Sequence, residues 1–327
     1  VTGAPDPQAW GIAAGYHDVA GAWHPSPPET VARLLAAMGA TPDGPGPSPV
    51  VVVRPGEPVA LDGPAELECE DGTSVRVDGA LPPDLPFGYH RLHRRDRTVT
   101  LVFAPHRCPP APRAWGIALQ LATLRSSASW GIGDLDDLAT FGRWARGLGA
   151  GFLLVGPLHA VAPVHPLEPS PYAPTTRRFS NPLYLRPPGA RPAGLPGPGE
   201  PVDRDAAWRA KLPALEAAYA AFAAGADPPG AGAFAAWVAA GGDDLTAFCR
   251  WMAGAEGRGG DPGRARFWAW LQWRLDAGLA AAAAAVPLVH DLPVGFAPGG
   301  ADAHAFAACV VDDARVGAPP DLFNPAG

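Results

Sequence analysis

Residues 115–160 read WGIALQLATLRSSASWGIGDLDDLATFGRWARGLGAGFLLVGPLHA, and residues 168–186 read EPSPYAPTTRRFSNPLYLR. The apolar run Trp115–Leu121 predicts a short strand. Leu135, Leu138, Phe141, Ala145 and Leu148 then recur at helical spacing on one face. Asp134 is placed to cap this helix, Asp136 and Asp137 suit the positive end of its dipole, and Gly147 and Gly149 mark its end. GFLLVGPL follows at once as a second strand. Strand, helix, strand over this length is a βαβ unit, which implies parallel strands and a right-handed crossover.

Downstream of Leu185 the text is rich in Pro and Gly through Pro201, then helical from Asp205 to about Ala285. RFWAWLQWRLDAGLAAA reads as strongly amphipathic, with Phe267, Trp270, Leu271, Leu275 and Leu279 on a common face. VPLVHDLP is the third strand. A helical insertion, about 187–284, therefore interrupts an α/β repeat. Three parallel strands with intervening helices suit either an open sheet or part of a (β/α)8 barrel, and periodicity alone does not choose.

Upstream, Ser26-Pro27-Pro28-Glu29 reads as a capping box ahead of a helix carrying Val31, Leu34, Leu35 and Met38, with Gly39 as its stop. With AWGIAAGYHDVAG this predicts a helical head over 1–45. From 46 to 104 the runs VVVVR, AELECE, TSVRV, FGYHRL and TVTLVFA predict an antiparallel domain resembling a small β-sandwich. Asp71-Gly72 signals a tight type I′ hairpin. The proline-rich segment 105–114 reads as a linker, and 115–327 as the α/β domain.

The chain of 327 residues has a formal net charge of −7, and Lys211 is its only lysine. Arginines are scattered without a basic block, so neither nucleic acid nor an anionic membrane is an expected partner. No segment reaches the ~20 apolar residues of a membrane helix. The N-terminal stretch lacks the basic start and apolar core of a secretory signal, so a cytoplasmic protein is expected. Cys69, Cys108, Cys249 and Cys309 are isolated, without metal-ligand spacing, and read as free thiols. No metal and no cofactor is expected.

Ser170 and Tyr172 lie just beyond the second strand, and Asp291 ends the third. In a barrel, the carboxyl ends of strands build the active site. A tyrosine there offers an apolar ring face and a hydroxyl to a ligand, or it packs the loop. An aspartate at such a position needs a partner nearby. His290 reads as a satisfied strand-end histidine, and His90 and His93, three apart on a strand, point to opposite faces and make poor joint ligands. Trp268, Trp270 and Trp273 read as helix packing. WGIGD lacks the spacing of a nucleotide loop.

SWGIGDL, SPYAPTTRRFSNPLYL, DLP and PPDLF, in that order, resemble the amylomaltase family of 4-α-glucanotransferases. The resemblance implies a long-form member: a (β/α)8 barrel with a helical insertion and an N-terminal β domain, transferring α-1,4-glucan segments between maltooligosaccharides by retaining double displacement. It implies that Ser170 and Tyr172 form the aromatic platform beside the scissile bond. Asp291 matches the aspartate of the family's GDLP motif, a substrate contact on the third barrel strand, with His290 in place of the usual glycine. His304 stands where tryptophan is usual. Asp321 is implied as a polar contact and Phe323 as a lid residue in the GAPPDLF loop. The nucleophile, the acid/base glutamate and the stabilising aspartate are implied on later strands, beyond Gly327. The chain as printed is therefore expected to be an N-terminal fragment without catalysis. A non-catalytic glucan-binding or scaffolding role and an α-glucan hydrolase are the alternative readings.

Overall fold

The computed structural model describes residues 3–111, 113–311, 318 and 321–324. The chain divides into two compact units, Val1–Pro112 with Val311–Gly327, and Arg113–Val310. The division falls within the proline-rich stretch, and the C-terminal tail groups with the first unit.

The first unit begins with a hairpin of β1 (Gly15–His17) and β2 (Trp23–Pro25), then α1 (Pro28–Ala37). The helical head is thus corrected: Asp18 accepts hydrogen bonds from the backbone N–H groups of Ala20 and Ala22 at 2.9 Å each, closing a turn where helix was expected. The capping box is corrected too. Pro27 is the N-cap and makes no side-chain cap bond, while the Ser26 hydroxyl donates to the Ala13 carbonyl at 2.8 Å.

The β domain is one mixed five-stranded sheet, ordered β3 (Val50–Val53), β7 (Thr98–Phe103), β6 (Gly88–His93), β4 (Ala65–Glu68) and β5 (Ser74–Val77). This corrects the expected antiparallel sandwich. β3 pairs parallel to β7, Val50 opposite Thr100 through Val53 opposite Phe103. Val53, Leu67, Val77, Leu92, Leu101 and Phe103 share the buried face, and loop residues Leu61, Val59, Leu81 and Leu85 pack against it in place of a second sheet. The β4–β5 turn is not type I′. Only Gly72 has positive φ (+84°), and the Gly72 N–H to Cys69 carbonyl bond (2.9 Å) closes a wider turn.

The second unit is a parallel sheet, β8 (Gly116–Leu119), β9 (Phe152–Val155) and β10 (Leu288–His290), with β9 in the middle. Helix α2 (Leu135–Gly147) connects β8 to β9 and is closed by a capping box, Asp134 accepting from the N–H groups of Asp136 and Asp137 and Asp137 accepting from that of Asp134. Leu135, Leu138 and Ala145 are buried; Leu148, expected on the same face, is exposed. Between β9 and β10 come α3 (Arg204–Ala223), α4 (Pro228–Ala255) and α5 (Pro262–Ala285). α5 packs on α2 and leads directly into β10, so it is the crossover helix of the sheet rather than part of a separate insertion. Its middle stretch from Phe267 to Gln272 is buried all round, Trp268, Ala269 and Gln272 included, which corrects the one-faced pattern expected of it. A short helix α6 (Ala301–Ala305) follows β10.

Candidate functional site

Leu119, Val155 and His290 are paired across the three parallel strands, so the strands end at one level. The residues that follow, Gln120, Gly156 and Asp291, form the carboxyl rim. From this rim a long loop runs from Gly156 to Ser180 and carries Ser170 and Tyr172. The Tyr172 hydroxyl donates to Oδ2 of Asp291 at 2.6 Å across 119 residues of chain. This supplies the partner that a strand-end aspartate requires. The phenol is pushed above its ordinary range, first by that hydrogen bond to a carboxylate and then by desolvation. Its ring remains 51% exposed.

Ser170 acts locally: its hydroxyl accepts from the Tyr172 N–H at 3.2 Å, and its own N–H donates to Glu168 at 2.9 Å. It shapes the turn that presents Tyr172. The loop is stitched to itself, with the Thr175 N–H donating to the Ala160 carbonyl (2.8 Å) and the Ala160 N–H to that of Phe179 (2.9 Å). It is also stitched to α6, where buried Asp302 accepts from the Thr176 hydroxyl (2.8 Å), the Arg177 N–H (2.6 Å) and Nε of Arg178 (3.2 Å). Gly300 makes that junction possible, since a Cβ there would lie 2.8 Å from both the carbonyl and hydroxyl oxygens of Thr175. Asp205, at the start of α3, clasps the upstream part through the His165 ring and the Leu167 N–H. The tyrosine is therefore mounted on a braced loop.

A cavity of about 740 Å³ lies beside this loop, lined by His165, Glu168, Thr175, Asp205, Trp251 and Gly300 among others. His159, four residues beyond β9, is half-buried, and its basicity is lowered by burial, then by His290 and Arg177. It is thus neutral near pH 7. His290 is exposed and its ring makes no hydrogen bond among the described residues, in contrast to the satisfied histidine expected.

Behind the rim lies a charged core that sequence reading missed. The Arg186 guanidinium donates to Asp134 at 2.7 and 2.8 Å and to Asp137 at 2.7 Å. Lys211 on α3 is fully buried (0% exposed) and donates to the carbonyls of Leu183 and Leu185 at 2.7 and 2.8 Å. Burial lowers the amine to about 8, opposed by Asp134 and Asp137; burial likewise raises Asp134, with Arg186 pulling it back down. The singularity of the lysine was the available signal, yet nothing local to it told of burial.

Other candidates are structural. Trp268 and Trp270 are buried in the helical core, with Trp273 packed against it. His90 and His93 do turn apart: His90 meets the Pro86 carbonyl (2.8 Å) while His93 meets Glu68 (3.0 Å). Among the described residues no group of three or more His, Cys, Asp or Glu could hold a metal. Asp321 and Phe323 group with the first unit. Asp321 accepts from the N–H groups of Phe323 and Asn324 at 2.7 Å each, and Phe323 is 96% exposed. Pro319 and Pro320 of that loop lie outside the described residues.

The 4-alpha-glucanotransferase profile of glycoside hydrolase family 77 matches residues 119–265 and 258–327. The chain belongs to that family. The 4-alpha-glucanotransferases of Mycobacterium tuberculosis and Mycobacterium bovis are each 36% identical to it over 85% of this chain and 51% of their own. That of Haemophilus influenzae is 39% identical over 32% of this chain and 16% of its own. The amylomaltase of Corynebacterium glutamicum matches in structure with a TM-score of 0.79 at 29% identity, over 98% of this chain and 58% of that one. The Streptococcus agalactiae amylomaltase in complex with acarbose matches at 0.52 and 15% identity, over 65% and 51%, a likeness of fold alone. The chain spans about half the length of the mycobacterial relatives it matches.

Proposed function

We propose that this chain forms the first three strands of a (β/α)8 barrel in a 4-α-glucanotransferase, and that its rim holds an α-1,4-glucan. The observation that carries this reading is the Tyr172–Asp291 pair at the carboxyl ends of parallel strands, with the tyrosine face open and its tip held. A sugar ring presents C–H groups on one face and hydroxyls at its edge. An exposed aromatic ring bonded at its tip to a carboxylate matches both.

The chemistry proposed is retaining transfer. One carboxylate attacks the anomeric carbon, an acid protonates the leaving oxygen, and a second glucan hydroxyl intercepts the glycosyl intermediate. Asp291, occupied by the Tyr172 hydroxyl, is a substrate-orienting group in this scheme. The nucleophile and the acid/base are assigned to strands that would follow β10. Ser170 supports Tyr172, and Asp321 and Phe323 are proposed as acceptor-side contacts.

The test is incubation of the longest natural form of the protein with maltotriose. Glucose together with maltodextrins longer than maltotriose is expected, and Tyr172→Ala should lower transfer by ~10²-fold, as mispositioning of the reacting centre does. Glucose and maltose without longer products would replace transfer by hydrolysis. Full transfer by the Tyr172→Ala variant would remove the platform.

A further inference from the structure

The rim has a third member that neither the sequence motifs nor the family likeness singled out. Gln120, Gly156 and Asp291 lie side by side, one step beyond the paired residues Leu119, Val155 and His290. Backbone bonds hold the row level, from the Gly156 N–H to the Leu119 carbonyl at 3.0 Å and from the Asp291 N–H to the Val155 carbonyl at 2.9 Å. The middle residue has no side chain, and Gln120 uses the space. A Cβ at Gly156 would meet Oε1 of the Gln120 carboxamide first and would sit 2.8 Å from both Cδ and Nε2, well inside van der Waals contact. The amide therefore lies across the glycine, toward the Asp291 side of the row.

Tyr172 closes the figure from above. Its hydroxyl has one proton and two lone pairs. The proton is committed to Asp291 at 2.6 Å. Gln120 opposes Asp291 at this phenol, pulling it back toward its ordinary range, and its amide N–H groups suit a lone pair. A phenol held at its tip by one partner can swing about that bond, whereas two partners on either side of a bare glycine fix the plane of the ring. The ring face is left uncovered.

We propose that Gln120 is a positioning residue: lying across Gly156, it sets the plane in which Tyr172 meets a bound glucan. This rests on the reading of Tyr172 as the glucan platform. Gly156 is its complement, kept free of a side chain so that the amide can pass. Gln120 is exposed at the rim, so its replacement removes little packing.

Two variants and two readouts test it. Gln120→Met keeps the side-chain length without the donor, and Gly156→Ala evicts the amide from a different position. The Tyr172 hydroxyl is titrated through its ring carbon resonance in protein carrying labelled tyrosine, with Tyr172→Phe to assign the signal, and maltoheptaose affinity is measured by calorimetry. Both variants are expected to move the Tyr172 titration further above the ordinary phenol range and to weaken maltoheptaose by about tenfold, the scale of one lost hydrogen bond. A merely structural role would move neither at constant melting temperature. An unmoved titration in Gln120→Met would overturn the contact, and a moved titration with unchanged affinity would overturn its bearing on glucan. If the unaltered protein binds no maltoheptaose, the platform reading falls and takes the positioning role with it; the titration still decides whether Gln120 holds the hydroxyl.

Discussion

Replacing Lys211 with methionine keeps the reach of the side chain while deleting its charge and its donors. In the fold the ammonium is wholly buried and bonded to the carbonyls of Leu183 and Leu185. It also faces Asp134 and Asp137, which share the Arg186 guanidinium. The variant leaves two buried carbonyls without partners, at ~1–3 kcal/mol each, and breaks a buried charge cluster, at ~3–5 kcal/mol. These costs overlap, so a loss of about 4 kcal/mol is expected at pH 7. For a unit spanning Arg113–Val310 that is a fall in Tm of roughly 10 °C. The pH dependence adds a second signature. The amine stands at about 8 in the fold against 10.5 ordinarily. Between those values the unfolded chain binds the proton more tightly, so stability from this group rises with pH, by ~3 kcal/mol across the window. Methionine cannot follow. Urea unfolding monitored by tryptophan fluorescence at pH 7, 8.5 and 10 should show a gap between wild type and Lys211→Met that widens as pH rises. A cost under about 1 kcal/mol at pH 7, or a gap that narrows with pH, would refute the buried cluster.

Other consequences are quickly checked. Tyr172→Phe, which loses the Asp291 bond but keeps the ring, should retain more maltoheptaose affinity than Tyr172→Ala, with both near wild-type Tm because the ring is half in solvent; equal losses in the two would assign the contact to the hydroxyl. Gly300→Ala should cost ~1–3 kcal/mol by thermal denaturation, since its Cβ meets two Thr175 oxygens and overpacking cannot relax there. Cys108 and Cys309 are exposed whereas Cys69 and Cys249 are buried, and burial pushes the Cys249 thiol up to about 12, so a disulfide reagent should titrate two thiols at once and the other two only on unfolding. Four fast thiols would contradict the burial.

What the sequence made legible is what neighbours along the chain decide. Asp134 ahead of an apolar helix is a local signal, and the capping box is there. The parallel order of β8, β9 and β10 follows from a topological rule that admits few alternatives. Tyr172 and Asp291 share a rim because both follow strands of one sheet, and strand ends on parallel strands are necessarily at one edge. The failures lie where distant partners decide. β3 joins β7 rather than β4, which no hairpin signal could report. Ser26 gave its hydroxyl to Ala13 instead of to a helix N-terminus. Lys211 is buried because Asp134, Asp137 and two carbonyls converge on it from segments apart in the chain. Gln120 was passed over because its meaning depends on Gly156, at the end of the next strand.

The most direct test of the glucan-binding rim is a maltoheptaose titration followed at the labelled tyrosine rings, of which the chain has five. The account predicts a saturable shift at Tyr172, abolished in Asp291→Ala, with Tyr184, buried in the core, and Tyr219, partly buried against it, unmoved. Saturable binding that leaves Tyr172 unshifted, or that shifts Tyr184 or Tyr219 instead, would place the glucan elsewhere and contradict it.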